Sequence, residues 1–229
     1  NIANLSNREI ADMKFHQAYG YFTMIQFDKA KPLFNAIRQI PQDPNYIDAN
    51  YYYGFIAFNE KKYDEAIKIY NNIEKSNPNR YSTASNLGTL YELIGDNVNA
   101  LKWIEKSVKI NPISHNSSEW IHVNILKAKV NNLIFSSQNI INNDFGFESL
   151  PKTDLKEENL ESLRYQIYFQ LNERISFIKE KEKSIAVLLF DLANIDYLLG
   201  EKSSQYKELY KMAIDYGFDQ KFIEDRLKA

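Results

Sequence analysis

The chain has 229 residues, 44% apolar and 25% charged, with a formal net charge of −2 and no cysteine. That is the composition of a folded globular protein, and it excludes disulfides, thiolate nucleophiles and cysteine-held metal. Phosphate-dominated nucleic-acid binding is disfavoured too, because it needs clustered Lys and Arg and no basic stripe is present. Gly and Pro are scarce, at 7 and 6 residues, which argues against β-sandwiches and disordered linkers. No apolar run approaches the roughly 18 residues of a membrane span. The sequence begins at Asn1, which suits both a removed leader and a trimmed chain.

In chain order, Ser6 and Glu9 have the spacing of a capping box and open the first helix. A repeat then appears. Gly54 and Gly88, Ala66 and Ala100, and Pro78 and Pro112 each lie 34 residues apart. One unit earlier Ala18, Phe27, Ala30 and Phe34 stand for Gly54, Tyr63, Ala66 and Tyr70 at an offset of 36, so the loop around Pro41 and Pro44 is two residues longer. Small residues on both members of a helix pair let their backbones approach. Pro78 and Pro112 end the second helix of their pairs, since proline lacks an N–H and clashes with the preceding turn. The turn GDNVN (95–99) starts with a glycine suited to a left-handed helix end.

A 34-residue helix–turn–helix unit with these anchors resembles the tetratricopeptide repeat, over about residues 11–112. The resemblance implies an all-α chain and a right-handed α-α superhelix of antiparallel hairpins. It also implies a concave groove that holds a peptide or partner protein. The sequence departs from the pattern at Lys14, Asn50 and Ala84, where a bulky aromatic is expected, and at Ala57 in place of a tyrosine kept at Tyr21 and Tyr91.

Asn116 and Glu119 are again spaced as a capping box, so residues 117–131 read as a degenerate repeat helix with Trp120 near its start and Asn124 at the small-residue position. Asn-rich residues 131–153 read as a long loop with one short helix. Asp154 and Glu157 suggest a cap for a helix over 155–180, whose Leu160, Leu163, Ile167, Leu171, Ile175 and Ile178 recur at helical spacing. The mixed-sign run KEKEK (179–183) reads as a solvated junction. Residues 184–199 are apolar nearly all round and should be buried. Gly200 ends that helix, another follows over 203–216, and a short terminal helix completes the chain. Residues 184–216 form an atypical hairpin in which Leu192 and Ala193 match the Leu-Gly pair, but Gln205 replaces the second small residue. The expected organisation is three hairpins over 1–112, a degenerate helix and loop over 113–153, and C-terminal helices over 154–229, packed as one continuous solenoid.

The leading functional expectation is a non-catalytic binding scaffold with a protein or peptide partner and no cofactor. The expected binding face comprises Phe15, Tyr19, Phe22, Tyr51, Phe55 and Phe58, with Ser85 and Thr89 in the third repeat. Six rings one-third exposed would form a patch of several hundred Å², about the upper limit for a monomer with nothing to bind. Covering it yields on the order of 10 kcal/mol gross, comparable to the cost of association, so micromolar binding is expected. The competing reading is that this stripe packs internally. The family's carboxylate clamps use basic groups along this side. Here the positions hold Asp12, Asp48, Ser82 and Glu92 among the rings, so the expected ligand is apolar or aromatic rather than acidic. Self-association into an assembly is the alternative. A minor alternative is a metal-dependent enzyme using His115, Glu119 and His122, spaced i, i+4 and i+7. The order is not H-E-x-x-H and no fourth ligand is implied, so cap and packing account better for the cluster. Ser117 or Ser118 with His122 lacks an orienting Asp, and the DFG at 144–146 lacks the other kinase motifs. Stretches from the third repeat onward also look like uncharacterised, often exported tetratricopeptide proteins of Bacteroidetes-type bacteria, which leans toward the cell envelope.

Overall fold

The computed structural model describes residues 6–178 and 180–228. Among them every regular element is helical and no strand occurs. The chain divides into two compact units, residues 1–110 and 111–229.

The first unit contains α1 (Asn7–Thr23), α2 (Phe27–Ile37), α3 (Tyr46–Asn59), α4 (Tyr63–Ser76), α5 (Tyr81–Leu93) and α6 (Asn97–Ile110). They pair as three hairpins, α1 with α2, α3 with α4 and α5 with α6, and successive hairpins meet through α2–α3 and α4–α5. The repeat anchors explain the pairing. Ala18, Ala30, Ala66 and Ala100 are fully buried. A Cβ on Gly54 would lie 3.2 Å from Ile69 Cγ2 and Tyr70 Cε1, and one on Gly88 would collide with the Ile104 side chain. Both glycines are therefore needed for close approach of the two helices. The capping box forms: Ser6 N donates to Glu9 Oε2 at 2.8 Å and Glu9 N to Ser6 Oγ at 3.3 Å. Each first helix ends in the same 6→1 and 5→2 hydrogen-bonded cap. Its left-handed residue is Ile25, Lys61 and Gly95 in turn, and only the third is glycine. Helices α4 and α6 end two residues before Pro78 and Pro112.

The second unit contains the turn α7 (Ser114–Ser117), then α8 (Glu119–Val130), α9 (Ser137–Ile141), α10 (Glu157–Phe177), α11 (Lys183–Leu198), α12 (Ser203–Asp215) and α13 (Gln220–Lys228). α11 is its centre. It packs on α12, α10 and α9, while α8 packs on α9 and α10 and α13 packs on α12. Ser184 to Asp196 are all buried, as the nearly all-round apolar pattern requires. The core gathers Ile121, Ile125, Ile140, Phe145, Leu160, Ile167, Leu188 and Tyr210 around it.

Several expectations for this unit are corrected. Asn116 does not cap α8. His115, Asn116 and Ser117 all take left-handed backbone angles, with φ of 49°, 55° and 57°, and the Glu119 carboxylate turns to two histidines instead. Asp154 caps nothing: α10 starts at Glu157 after Lys156, because Leu155 is drawn inward onto the core. Gln205 is exposed rather than between helices, and Tyr206 and Tyr210 make the buried face of α12. Within KEKEK, Lys179 lies outside the described residues. Glu182 is not a free solvated charge, since it pairs with buried Arg174 at 3.0 Å and with Lys129.

Candidate functional site

The first helices of the first two hairpins carry the aromatic stripe. On α1, Phe15 stacks on Tyr19 and Tyr19 on Phe22, each with centroids 6.3 Å apart. Across to α3, Phe22 meets Tyr52 at 4.9 Å and Phe55 at 5.5 Å, and Tyr19 meets Tyr52 at 5.3 Å. Phe34 of α2 stacks on Tyr52 from below at 5.4 Å. Tyr52 is thus the hub of the ladder, and sequence spacing alone did not select it. Neighbouring Tyr51 and Tyr53 share its aromatic run, so nothing local marks Tyr52 as the ring that faces α1.

The stripe is neither fully open nor fully covered. Tyr19 is 40% exposed, while Phe15, Phe22, Tyr51 and Phe55 are half-buried. Phe58, expected on the binding face, is buried at 6% and packs edge-on against Tyr63 at 6.1 Å. It supports the ladder from inside. Ser85 and Thr89 on α5 are half-buried, and the Thr89 hydroxyl donates to the Ser85 carbonyl at 3.3 Å.

A polar margin accompanies the rings. Asn86 of α5 donates to Tyr70 Oη at 3.1 Å and to Tyr51 Oη at 3.4 Å. Burial pushes the Tyr70 phenol well above its ordinary range, so it stays a neutral hydrogen-bonding group. The two acidic groups of the stripe are engaged: Asp12 accepts from Asn45 Nδ2 at 3.0 Å and Asp48 from Arg80 Nη2 at 2.9 Å. The Asp48–Arg80 pair is exposed and contributes little.

The His115, Glu119 and His122 cluster does come together. Glu119 Oε1 is hydrogen-bonded to His115 Nδ1, and His122 Nδ1 lies 3.7 Å from Glu119 Oε2. The His115 ring stacks on Phe169 with centroids 5.1 Å apart. Burial pushes the Glu119 carboxyl up, but the two histidines outweigh it and bring it down to about 2. The Glu119 contact raises His115 above its ordinary value, against burial. A buried ionised carboxylate shared by two imidazoles is an internal salt bridge. Among the described residues no three His, Asp or Glu side chains could hold a metal ion. The Ser118 hydroxyl donates to the His115 carbonyl and accepts from Gln170 Nε2 at 3.0 Å, which leaves it unsuited as a nucleophile. The DFG at 144–146 is a turn: Gly146 N donates to Asp144 Oδ1 at 2.9 Å, and Phe145 is buried.

The described residues are all-α, and the three hairpins of the first unit have tetratricopeptide-like spacing. No protein-family model matches the sequence, and no curated protein matches it. Solved structures with similar backbones include MamA, at 13% identity and a TM-score of 0.49, covering 96% of this chain and 93% of that one. A tetratricopeptide repeat protein from Parabacteroides merdae matches at 15% identity and a TM-score of 0.48, with 95% and 97% covered. A thermophilic tetratricopeptide protein of Thermus thermophilus matches at 13% identity and a TM-score of 0.46, with 95% and 96% covered. At these scores the description of the hairpins rests on the helices of this chain itself. Among the described residues no helix is long and apolar enough to cross a membrane.

Proposed function

We propose that the chain is a non-catalytic protein-interaction scaffold whose first unit holds a peptide or partner segment against the α1–α3 aromatic ladder. The observation that carries this reading is Tyr19. It is stacked between Phe15 and Phe22 and leans on Tyr52, yet remains 40% exposed. A ring held rigid on three sides and open on the fourth loses little conformational freedom when a partner covers it, which is why tyrosines are frequent anchors. The hydroxyl of half-buried Tyr51, which accepts from Asn86, adds a polar group at one edge. Arg80 lies 6.0 Å over the Tyr51 ring but is paired with Asp48, so an apolar or aromatic partner segment suits the ladder better than an acidic one.

The test is affinity capture from the source cells with mass spectrometry, followed by binding of the captured partner to Tyr19→Ala and Phe55→Ala. Both variants should fold, and Tyr19→Ala should weaken binding by roughly tenfold or more. Binding within threefold of wild type in both would place the site elsewhere.

A further inference from the structure

The second unit holds a groove outside the aromatic ladder. Helices α10 and α12 flank it and α11 forms its floor. Its volume is about 550 Å³, within the roughly 300–1,000 Å³ of ligand sites. Tyr165 and Tyr168, three residues apart on α10, form one wall and are 64% and 57% exposed. Leu192 and Leu209 supply apolar surface, and Asp196 and Glu208 supply carboxylates. A single exposed tyrosine is ordinary. Two on the wall of an apolar-floored groove form a patch of the kind that marks an interaction site.

Charge selects the occupant. Arg164 is the one cation among the described lining residues, and it is already held, by Asp196 Oδ1 at 2.5 Å and Glu201 Oε1 at 3.3 Å. Glu208 on the opposite wall meets Lys211 at 3.7 Å in an exposed pair, which is worth little in water. Asp196 is almost fully buried and is taken up by Arg164, so the exposed carboxylate of the groove is that of Glu208. Among the described lining residues the groove therefore offers an exposed carboxylate, and its one cation is already engaged. A neutral or acidic ligand would desolvate that carboxylate without compensation. A ligand cation would compensate it and would also lie against the tyrosine faces.

We propose that this groove binds an extended segment of a partner protein that carries an arginine or lysine beside an apolar residue. The cation sits between Tyr165 and Tyr168 on one side and the exposed Glu208 carboxylate on the other. The apolar neighbour rests on Leu192 and Leu209. This site is independent of the ladder in the first unit.

Four pools of seven-residue peptides, with the centre fixed as Arg, Lys, Leu or Glu and random flanks, are passed over the immobilised full chain. The Arg and Lys pools should be retained about fivefold over the Glu pool, and the ratio should fall as salt is raised. Tyr168→Ala and Glu208→Gln change exposed positions, and circular dichroism checks that they fold. Both should bring the ratio close to one, while Tyr19→Ala in the first unit leaves it unchanged, so failure of the ladder reading is seen separately. Equal retention of the four pools, preference for the Glu pool, or an Arg preference that survives both α10 and α12 substitutions would overturn the proposal.

Discussion

The two units solve the same packing problem with different chemistry. In the first, the buried polar residues among those described are Asn50, Thr83 and Ser107, none of them charged. Small residues at fixed spacing set the helix separations, and aromatic rings fill the space between. In the second, the buried set includes Glu119, His122, Arg174, Asp191, Asp196 and Arg226. Its helices do not repeat, and side-chain hydrogen bonds between distant segments fix how they meet. A periodic array can rely on size because each interface copies the last. A non-repeating bundle needs directional contacts to select one arrangement among many apolar ones.

Removing the directional contacts should therefore have the largest effect. Arg226 is fully buried on α13. It donates to the carbonyls of Phe145, Gly146 and Glu148 and to Asn194 Oδ1, and lies 5.0 Å over the Phe190 ring. It holds the 142–156 loop and the terminal helix to α11. Arg226→Leu removes these bonds together; Phe145 O keeps Lys152 N and Asn194 Oδ1 keeps the Tyr210 hydroxyl, but Gly146 O loses its donor and the ring contact goes, which should cost about 3–4 kcal/mol. Urea midpoints measure the loss, and hydrogen exchange should show it as lost protection in 142–156 and α13. A loss below about 1 kcal/mol would mean that apolar packing alone orders this unit.

The Glu119 salt bridge comes next, and its effect depends on pH. Glu119 is depressed from 4.5 to about 2, so its contribution is present above pH 4.5 and is lost as pH falls toward 2. His115 is raised from 6.5, so its contribution is present below pH 6.5 and is lost as pH rises through the folded value. The pair is at full strength between these limits. Glu119→Gln should cost about 3 kcal/mol near pH 5.5, and the gap from wild type should narrow at pH 9 and at pH 2.5. A gap constant from pH 2.5 to 9 would show that the contact is not ionic.

The matching perturbation in the first unit acts on size. Gly88→Ala drives a Cβ into Ile104, and Ala66→Leu and Ala100→Leu insert bulk at fully buried positions. Each should cost about 1–3 kcal/mol. Thermal melts at several pH values should show the same loss throughout, unlike the Glu119 variant.

This contrast also explains what the sequence disclosed. Gly54, Gly88, Ala66 and Ala100 were legible because a size constraint repeated every 34 residues is written in the residue types themselves. The burial of α11 was legible from its all-round apolar pattern. The partners of its polar groups were not, because they lie far along the chain: Ser137 donates to Asp191 across 54 residues, and Arg226 reaches Asn194 across 32. The left-handed turn at 115–117 was hidden for a related reason. Asn116 and Glu119 satisfy a local capping rule, but His115 and His122 offer Glu119 a stronger, buried alternative. The Tyr165–Tyr168 wall escaped because the apolar stripe from Leu160 to Ile178 accounts for the helix without it.

The smallest expected effect sharpens the comparison at the helix ends. In the second unit the left-handed residues after α11 and α12 are Gly200 and Gly217. In the first unit the same cap, with the same pair of hydrogen bonds, is made by Ile25, Lys61 and Gly95. Ile25 is the least suited, since a β-branched side chain in this conformation crowds the backbone by about 1–2 kcal/mol. Its side chain is 75% exposed, so it returns little by packing. Ile25→Gly removes the strain but gives the unfolded chain more freedom, which takes back roughly 0.5–1 kcal/mol. A net stabilisation of about 0.5–1 kcal/mol is expected, seen as a melting temperature higher by about 1–4 °C. Gly95→Ile should do the reverse by a similar amount. If Ile25→Gly destabilises the protein, the exposed isoleucine is held by contacts of its own, and the repeat periodicity does not extend to the caps.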